Sequence, residues 1–200
     1  MGEERNDSVQ TGRTWYRVRP MQEKDLTQVM VIEEENFSIP WSRKSFLDMM
    51  NRPEAVFLVA AELPQGQESP DRASQNDRGL MADKTEEFCL KEKLTEQRIL
   101  GYAGAVMALD EGDVTNIAVL GTYKKQGIAT GLLNRLISET AAAGVRDLFL
   151  EVREHNIPAL GLYRAAGFVQ VGRRKGYYDK PKEDALIMKK AVPVQTDELL

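Results

Sequence analysis

The stretch TNIAVLGTYKKQGIATGLL, residues 115–133, carries the strongest indication of the fold. It predicts a strand over 115–119, a turn, and an amphipathic helix that begins after Gly127. We predict a turn over 110–113, just before this stretch. Strands and helices alternate along the rest of the chain, which indicates a mixed α/β or α+β domain around one central sheet. The other predicted strands lie at 16–19, 56–60, 99–109, 147–152, 168–173 and 185–189, and the other helices at 22–37, after Ser42 and after Asn156.

The turn before the predicted helix has the composition of an anion site. Small residues at Gly127, Ala129 and Gly131 let a ligand approach the backbone closely. The unpaired N–H groups and positive dipole end at the start of a helix favour a phosphate or pyrophosphate, and Lys124 and Lys125 add positive charge. The glycine spacing fits neither the phosphate-loop lysine motif nor the dinucleotide-binding motif. A tight turn that binds nothing is the alternative.

Composition excludes several classes of protein. The chain has 200 residues, of which 42% are hydrophobic, and a formal net charge of −4, so we predict a folded protein without a basic footprint for nucleic acid. One cysteine allows no internal disulfide, and one histidine argues against a metal site. We find no signal-peptide core at residues 1–14 and no apolar run of membrane-spanning length. We therefore expect a cytoplasmic protein that contacts neither membrane nor nucleic acid directly.

The chain divides into one domain and three polar segments. Residues 1–14 and 192–200 are predicted to be flexible tails that flank a single domain at 15–191. The polar residues 64–98 are predicted to form an insertion at the tip of a hairpin between the strands at 56–60 and 99–109, because their composition cannot offset the entropy of ordering. Cys89 falls within this insertion, which gives a role as a covalent nucleophile little support.

Two side chains stand out in the second half. Glu151 interrupts an apolar strand, where a charge is costly unless it has a use. Tyr163 follows on the next predicted helix among small and apolar residues. A carboxylate can serve as a general base and a phenol as a general acid. Each also has a plain structural interpretation, as an edge carboxylate and a core aromatic residue.

The loop between this strand and helix contains two further polar residues. Asn156 is suited to cap the helix that begins at Ile157. His155 is interpreted as a solvated loop residue.

The pattern of residues 116–129 resembles the acetyl-CoA motif Gln/Arg-x-x-Gly-x-Gly/Ala of the Gcn5-related N-acetyltransferase (GNAT) family, with Lys124 at the usual glutamine or arginine position. The resemblance implies a mixed, mostly antiparallel sheet that splays at a bulged strand and is flanked by helices. It implies that Ile117 and Val119 offer backbone groups to the pantetheine arm and that the Val119 N–H stabilises the oxyanion. The implied acetyl-CoA contacts are Ile117, Ala118, Val119, Lys124, Lys125, Gln126, Gly127, Ile128, Ala129, Thr130 and Asn156.

Four further motifs, FSIPW (37–41), LEVR (150–153), GYY (176–178) and EDALIM (183–188), resemble the RimI branch of that family, the alanine N-acetyltransferases of a small-subunit ribosomal protein. The resemblance implies that Glu151 is the general base, that Tyr163 is the general acid, and that transfer is direct. The residues implied to line the peptide cleft are Phe37, Ile39, Pro40, Trp41, Tyr177 and Tyr178.

Several alternatives stay open at this point. The 37–41 segment could be a hydrophobic plug over the core, and the Glu183–Asp184 pair could be a solvated strand entry or could recognise a basic partner. For the whole protein, the alternatives are an acetyltransferase of broader specificity, acting on other N-termini, lysines or small amines, and a non-catalytic acetyl-CoA-binding module.

Overall fold

The computed structural model describes residues 8–11, 14–63 and 97–192. Most of the predicted insertion, including Cys89, and all but the first residue of the predicted C-terminal tail lie outside the described residues. The strands are β1 (Ser8–Thr11), β2 (Thr14–Pro20), β3 (Ala55–Glu62), β4 (Ile99–Ala108), β5 (Glu111–Val119), β6 (Asp147–Arg153), β7 (Val169–Asp179) and β8 (Lys182–Ala191). The α-helices within these residues are α1 (Leu26–Asn36), α2 (Arg43–Met50), α3 (Ile128–Ala142) and α4 (Ile157–Ala165), and two short 3₁₀ helices span Glu23–Asp25 and Gly121–Tyr123.

The eight strands form one sheet in the order β1-β2-β3-β4-β5-β6-β8-β7. Neighbouring strands are antiparallel except β5 and β6, which run parallel. A parallel pair needs a crossover connection, and α3 supplies it. The mixed, mostly antiparallel sheet with flanking helices confirms the predicted fold class, and the antiparallel pairing of β3 with β4 confirms the hairpin on either side of the insertion.

Helices cover both faces of the sheet because side chains alternate along the central strands. On β3, Leu58 and Ala60 pack with the leucines of α3, whereas Phe57 and Val59 pack with α1 and α2 on the opposite face. The helix boundaries follow the predicted capping residues. The Ser42 hydroxyl accepts a hydrogen bond from the Ser45 N–H at 3.0 Å.

The feature that shapes the centre of the sheet is the early end of the β5–β6 ladder. Parallel pairing covers only Glu111–Val114 against Asp147–Leu150, so β5 and β6 diverge beyond that point. The β4–β5 register shifts between Gly104 and Ala105, which leaves Thr115 as the extra residue of a bulge. The structure therefore has the bulged, splayed strand that the sequence resemblance implied.

A buried polar network connects α1 to the bulged strand. The Glu33 side chain is fully buried, accepts a hydrogen bond from the Trp41 N–H at 2.9 Å, and accepts another from the Tyr102 hydroxyl. Tyr102 also hydrogen-bonds Asn116, the residue after the bulge. Burial raises the pKa of Glu33, while both hydrogen bonds oppose that increase. The network thus fixes the backbone of the 37–41 segment relative to β5.

Both predicted tails contain ordered residues. The prediction of a flexible tail over 1–14 is wrong for Ser8–Thr11, which pairs with β2, and for Thr14, the first residue of β2. Pairing uses backbone groups, so a polar edge strand needs no hydrophobic period and the composition did not reveal it. Val192, in the predicted C-terminal tail, is buried, and its N–H donates to the Arg146 carbonyl at 2.7 Å.

Two predicted strand limits were also wrong. The turn predicted over 110–113 occupies Leu109 and Asp110, and β5 begins at Glu111. Gly112 and Asp113 resemble turn residues, but Gly112 fits beneath Leu148, where a Cβ would lie 2.9 Å from Cδ2.

The strand predicted over 168–173 continues as β7 to Asp179, so Tyr177 and Tyr178 lie in this strand. A register shift between Arg174 and Tyr178 and the positive φ of Gly176, 59°, interrupt the ladder. Because a glycine lies at this interruption, the sequence pattern did not predict that the strand continues past residue 173.

Gly104→Ala is expected to destabilise the fold, because a Cβ there would lie 2.7 Å from Cδ1 of Phe57. Overpacking of this kind costs about 1–3 kcal/mol. At Gly161 in α4, a Cβ would meet nothing within 4 Å, so Gly161→Ala should be neutral or gain about 0.5–1 kcal/mol from helix propensity. Urea unfolding of both variants measures the difference, and equal midpoints would contradict the close packing of Phe57 on β4.

Candidate functional site

The loop between β5 and α3 exposes unpaired backbone N–H groups. Lys125 and Gly127 have positive φ values of 62° and 78°, and Gly127 precedes α3 without a side-chain cap. Successive N–H groups in such a conformation form an anion-binding concavity at the positive end of the helix dipole. Lys124 and Thr130 are exposed beside it. The structure thus brings the predicted anion-binding residues together.

The individual side chains of this loop differ in their surroundings. Ile128 is buried in the core, so only its backbone is available to a ligand. Ala129 packs partly against the same core. The Gln126 amide nitrogen donates to the Thr122 carbonyl at 3.5 Å, and its Oε1 is a buried acceptor for which the described residues provide no donor.

The Tyr16 side chain contacts this loop from the core of the protein, and the sequence did not predict this contact. Its side chain is fully buried, and its hydroxyl donates to the Gly127 carbonyl at 3.5 Å. A Cβ on Gly131 would lie 2.5 Å from the same hydroxyl. A glycine in the first turn of α3 is therefore required for Tyr16 to sit beneath the loop. Only the strand pattern of residues 16–19 hinted that Tyr16 was buried.

The second half of β5 has backbone groups that face the gap left by β6. Ile117, Ala118 and Val119 pair with β4 on one side, and the β6 ladder ends before them on the other. Thr115 Oγ1 and Asn116 Oδ1 are buried and have no partner among the described residues. The backbone groups that β5 directs into the gap are therefore candidates for hydrogen bonds to a ligand.

Glu151 lies on β6 across the gap, within a cluster of charged and phenolic groups. Its carboxylate pairs with Arg174 at 2.9 Å and is hydrogen-bonded by the Tyr177 side chain, which raises the pKa of Tyr177. Burial raises the pKa of Asp113, the charge of Glu151 adds to that increase, and Arg174 opposes it. Arg174 and Asp113 were not predicted, because one lies in a basic run and the other in an expected turn.

Tyr163 fits its structural interpretation as a core aromatic residue. It is buried against Phe168, with ring centroids 5.9 Å apart, so it is a core residue of α4. Burial raises its pKa to about 12, and the charge of Tyr178 adds to the increase. The ordinary value near 10 therefore does not apply, and the phenol is a weaker acid than its residue type suggests.

The segment 37–41 combines a buried and an exposed part. The Trp41 ring packs on Phe46 and Phe57, with centroids 5.3 and 6.3 Å away, and Phe37 joins the same cluster, as the plug interpretation predicts. Ile39 is 70% exposed and Pro40 is exposed as well. Ile39 and Pro40 are thus the large apolar side chains of the segment that are most open to a ligand, whereas Phe37 and Trp41 are half-buried.

The loop after β6 holds its polar residues with internal contacts. The Asn156 side chain accepts a hydrogen bond from the Ala159 N–H at 3.3 Å, which confirms its capping role. His155 is exposed and contacts Glu183 at 2.9 Å through Nδ1. Hydrogen bonds and cations lower the pKa values of Glu183 and Asp184. The acidic pair therefore organises the β7–β8 hairpin.

Two general features of the described residues bear on the class of protein. None of their helices is long and apolar enough to cross a lipid bilayer. Within the same residues no group of three or more His, Cys, Asp or Glu side chains is placed to hold a metal ion.

A splayed sheet with an anion-binding helix start at one side of the gap and a carboxylate at the other defines an acyltransferase of the acetyl-CoA-dependent type. The chain belongs to the Acetyltransferase (GNAT) family, whose model matches residues 26–168. It is therefore an acetyltransferase, and the predicted family is confirmed.

Individual relatives indicate the branch of the family to which the chain is most similar. The [ribosomal protein bS18]-alanine N-acetyltransferase of Haemophilus influenzae is 41% identical over 114 residues, 55% of this chain and 77% of that protein. The enzyme of the same name from Escherichia coli is 29% identical over 180 residues, 88% of this chain and 97% of the relative. The predicted resemblance to the RimI branch is thus confirmed.

Solved structures agree with the fold. The crystal structure of the ribosomal-protein-S18-alanine N-acetyltransferase from Escherichia coli has a TM-score of 0.66 at 26% identity and covers 92% of this chain and 99% of its own. Arabidopsis thaliana NAA60 in complex with acetyl-CoA has a TM-score of 0.64 at 21% identity, with 88% of this chain and 97% of that chain covered. At this lower identity the second likeness supports the fold alone.

The pH dependence of acetyl transfer tests the state of Tyr163. A phenol is a proton donor below its pKa and loses this form as the pH rises through it, so a pKa of about 12 keeps Tyr163 protonated at working pH. Tyr163→Phe should therefore lower kcat by a constant factor between about pH 7 and 10. A wild-type alkaline limb near pH 10 that disappears in Tyr163→Phe would contradict the raised pKa.

Proposed function

We propose that this protein transfers the acetyl group of acetyl-CoA directly to the N-terminal alanine of a small-subunit ribosomal protein. The observation that carries the proposal is the pairing of an open β5 edge and an uncapped α3 start with a carboxylate, Glu151, on the facing strand. Similarity to enzymes named for that activity supports the choice of acceptor. Fold alone would not, since the same fold serves many acceptors.

The residues present fit acetyl-CoA. The concave N–H groups from Lys125 to Ala129 suit a pyrophosphate, with Lys124 adding charge. The edge from Ile117 to Val119 has no partner strand on the β6 side, although the Asn36 amide donates to the Val119 carbonyl at 3.3 Å, and it suits the amides of a pantetheine arm. Asn156 uses its side chain to cap α4, so a further contact with the cofactor would come from its exposed side. When bound, acetyl-CoA supplies a thioester activated for attack by an amine.

Glu151 is the proposed general base. An N-terminal amine has a pKa near 7.7–8.0, so a protonated fraction must lose its proton before it attacks. Arg174 pairs with Oε1 of this carboxylate at 2.9 Å, and a carboxylate has further acceptor positions that an incoming ammonium group can use. Glu151 can therefore bind the acceptor amine and accept its proton, directly or through one water.

The remaining roles follow from position and chemistry. The Val119 N–H would donate to the oxygen on which negative charge develops. Tyr163 would donate a hydrogen bond to the leaving sulfur, and its raised pKa makes complete proton transfer to a thiolate, of ordinary pKa near 8.5, unfavourable, so the sulfur would leave as the hydrogen-bonded thiolate and take its proton from water. Ile39, Pro40, Tyr177 and Tyr178 would line the path of the acceptor peptide.

Gly131→Ala is expected to raise the KM for acetyl-CoA, since the new Cβ would push the first turn of α3 away from the Tyr16 hydroxyl. An overpacking cost of about 1–3 kcal/mol corresponds to roughly five- to more than a hundredfold if it falls on the bound state. Initial rates at varied acetyl-CoA measure the effect. Gly161→Ala is the matched control, and an equal KM in the two variants would argue against this loop as the cofactor site.

Glu151→Gln should lower kcat by about 10²–10⁴-fold on an Ala-starting peptide, because the amide accepts no proton. Thiol release from acetyl-CoA is measured with that peptide, the same peptide blocked at its N-terminus, an internal-lysine peptide and spermidine. Glu154→Gln is the control, since Glu154 lies near the end of the same strand and pairs with Arg173 at 2.5 Å.

Turnover confined to the free alanine N-terminus and lost only in Glu151→Gln would support both acceptor and base. Turnover on lysine or spermidine in its place would refute the ribosomal assignment. Binding of acetyl-CoA without turnover on any amine would indicate the non-catalytic module.

A further inference from the structure

Arg153, the last residue of β6, makes more directed contacts than its surface position requires. Its guanidinium donates to the Lys180 and Pro181 carbonyls at 2.9 and 3.1 Å. It also pairs with Glu183 at 3.1 Å and donates to the Ser38 hydroxyl at 3.4 Å. Four hydrogen bonds fix this one side chain, and ordering a long side chain near the surface costs entropy. The identity of the partners shows what the arginine holds in place.

The partners of Arg153 belong to both sides of the proposed peptide cleft. Ser38 lies in the 37–41 segment, next to the exposed Ile39. Lys180 and Pro181 form the turn between β7 and β8. The guanidinium carbon also lies 4.1 Å from the ring centroid of Tyr178, which is the distance of a cation–π contact. One group thus links the segment on one side to the hairpin on the other.

The guanidinium is itself held in place. Glu183 is shared between Arg153 on Oε2 and the His155 N–H and ring on Oε1, so the carboxylate cannot follow a moving arginine. The side chains of Arg153 and Glu183 are 24% and 10% exposed, and this partial burial strengthens the pair relative to a surface ion pair. A planar fork can donate in several fixed directions and stack on a ring at the same time, whereas a lysine ammonium cannot.

We propose that Arg153 is a positioning residue that sets the separation of the two walls of the acceptor cleft, acting through Tyr178 and Ser38. This role rests on the proposed function, because the cleft matters only if a peptide enters it. Glu151 forms its ion pair with Arg174, whereas Arg153 pairs with Glu183. Its loss should therefore weaken peptide binding more than it slows the chemical step.

The test compares peptide kinetics in the full-length chain for wild type, Arg153→Lys, Ser38→Ala and Arg173→Lys. Arg173 is the matched control, because it also joins the hairpin to the end of β6, through Asp184 and Glu154, but contacts neither Tyr178 nor Ser38 in the described residues. Peptide KM, kcat and the KM for acetyl-CoA are measured for each, and calorimetric titration of the Ala-starting peptide into CoA-bound protein gives affinity without turnover.

Arg153→Lys should raise the peptide KM and Kd by roughly tenfold or more, with a smaller change in kcat and an unchanged KM for acetyl-CoA, since charge-assisted bonds and stacking are lost. Ser38→Ala should change the same constants less, and Arg173→Lys should match wild type. An effect confined to kcat, or an equal effect in Arg173→Lys, would overturn the proposal. If Arg153→Lys fails to fold, an unchanged peptide Kd in Ser38→Ala overturns it as well.

Failure of the proposed function has a different signature. Wild type would then neither bind nor acetylate the peptide while still turning over another amine, and the cleft proposal would fall with it. A wild type that acetylates the peptide, with Arg153→Lys equal to wild type, would remove only the role of Arg153.

Discussion

The end of the parallel ladder between β5 and β6 is the constraint on which the site depends. Buried backbone groups must find partners, and a sheet normally provides them along its whole length. Here pairing stops at Val114 and Leu150, so the remaining half of β5 has no partner strand on its β6 side and faces a gap inside the molecule. The bulge at Thr115 turns the strand away, and α3 starts at the same end of the gap. The candidate binding edge and the geometry of the sheet therefore have the same origin.

The gap stays open because both of its sides are held from outside. On the β5 side, buried Glu33 connects the backbone of Trp41 to Tyr102 and through it to Asn116. A buried carboxylate is costly unless its hydrogen bonds are satisfied, so this network tolerates little displacement. On the β6 side, antiparallel pairing with β8 runs along the whole strand, from Asp147 to Arg153, and holds it in place. The shape of the cleft is thus set by groups that take no part in the reaction.

Patterns local in sequence predicted the fold and the positions of several residues of the candidate site. The helix caps, the strand order around the insertion, the anion loop and Glu151 all have signals within a few residues, either turn chemistry or a charge in an apolar run. The partners of these residues come from distant segments, and so Tyr16 and Arg174 could not be identified from spacing alone. The same reason explains the errors at Ser8–Thr11 and in β7, where backbone pairing overrides a polar composition.

The position of β7 at the outer edge of the sheet has a consequence for solubility. An unpaired edge with exposed Val169 and Val171 offers a template on which another chain could add a strand. The basic run Arg173–Lys175 and the kink at Gly176 interrupt that template midway along the strand. The strand that carries the proposed cleft residues Tyr177 and Tyr178 therefore also carries the features that limit edge-to-edge aggregation, and a change made to alter specificity in this strand will act on aggregation at the same time.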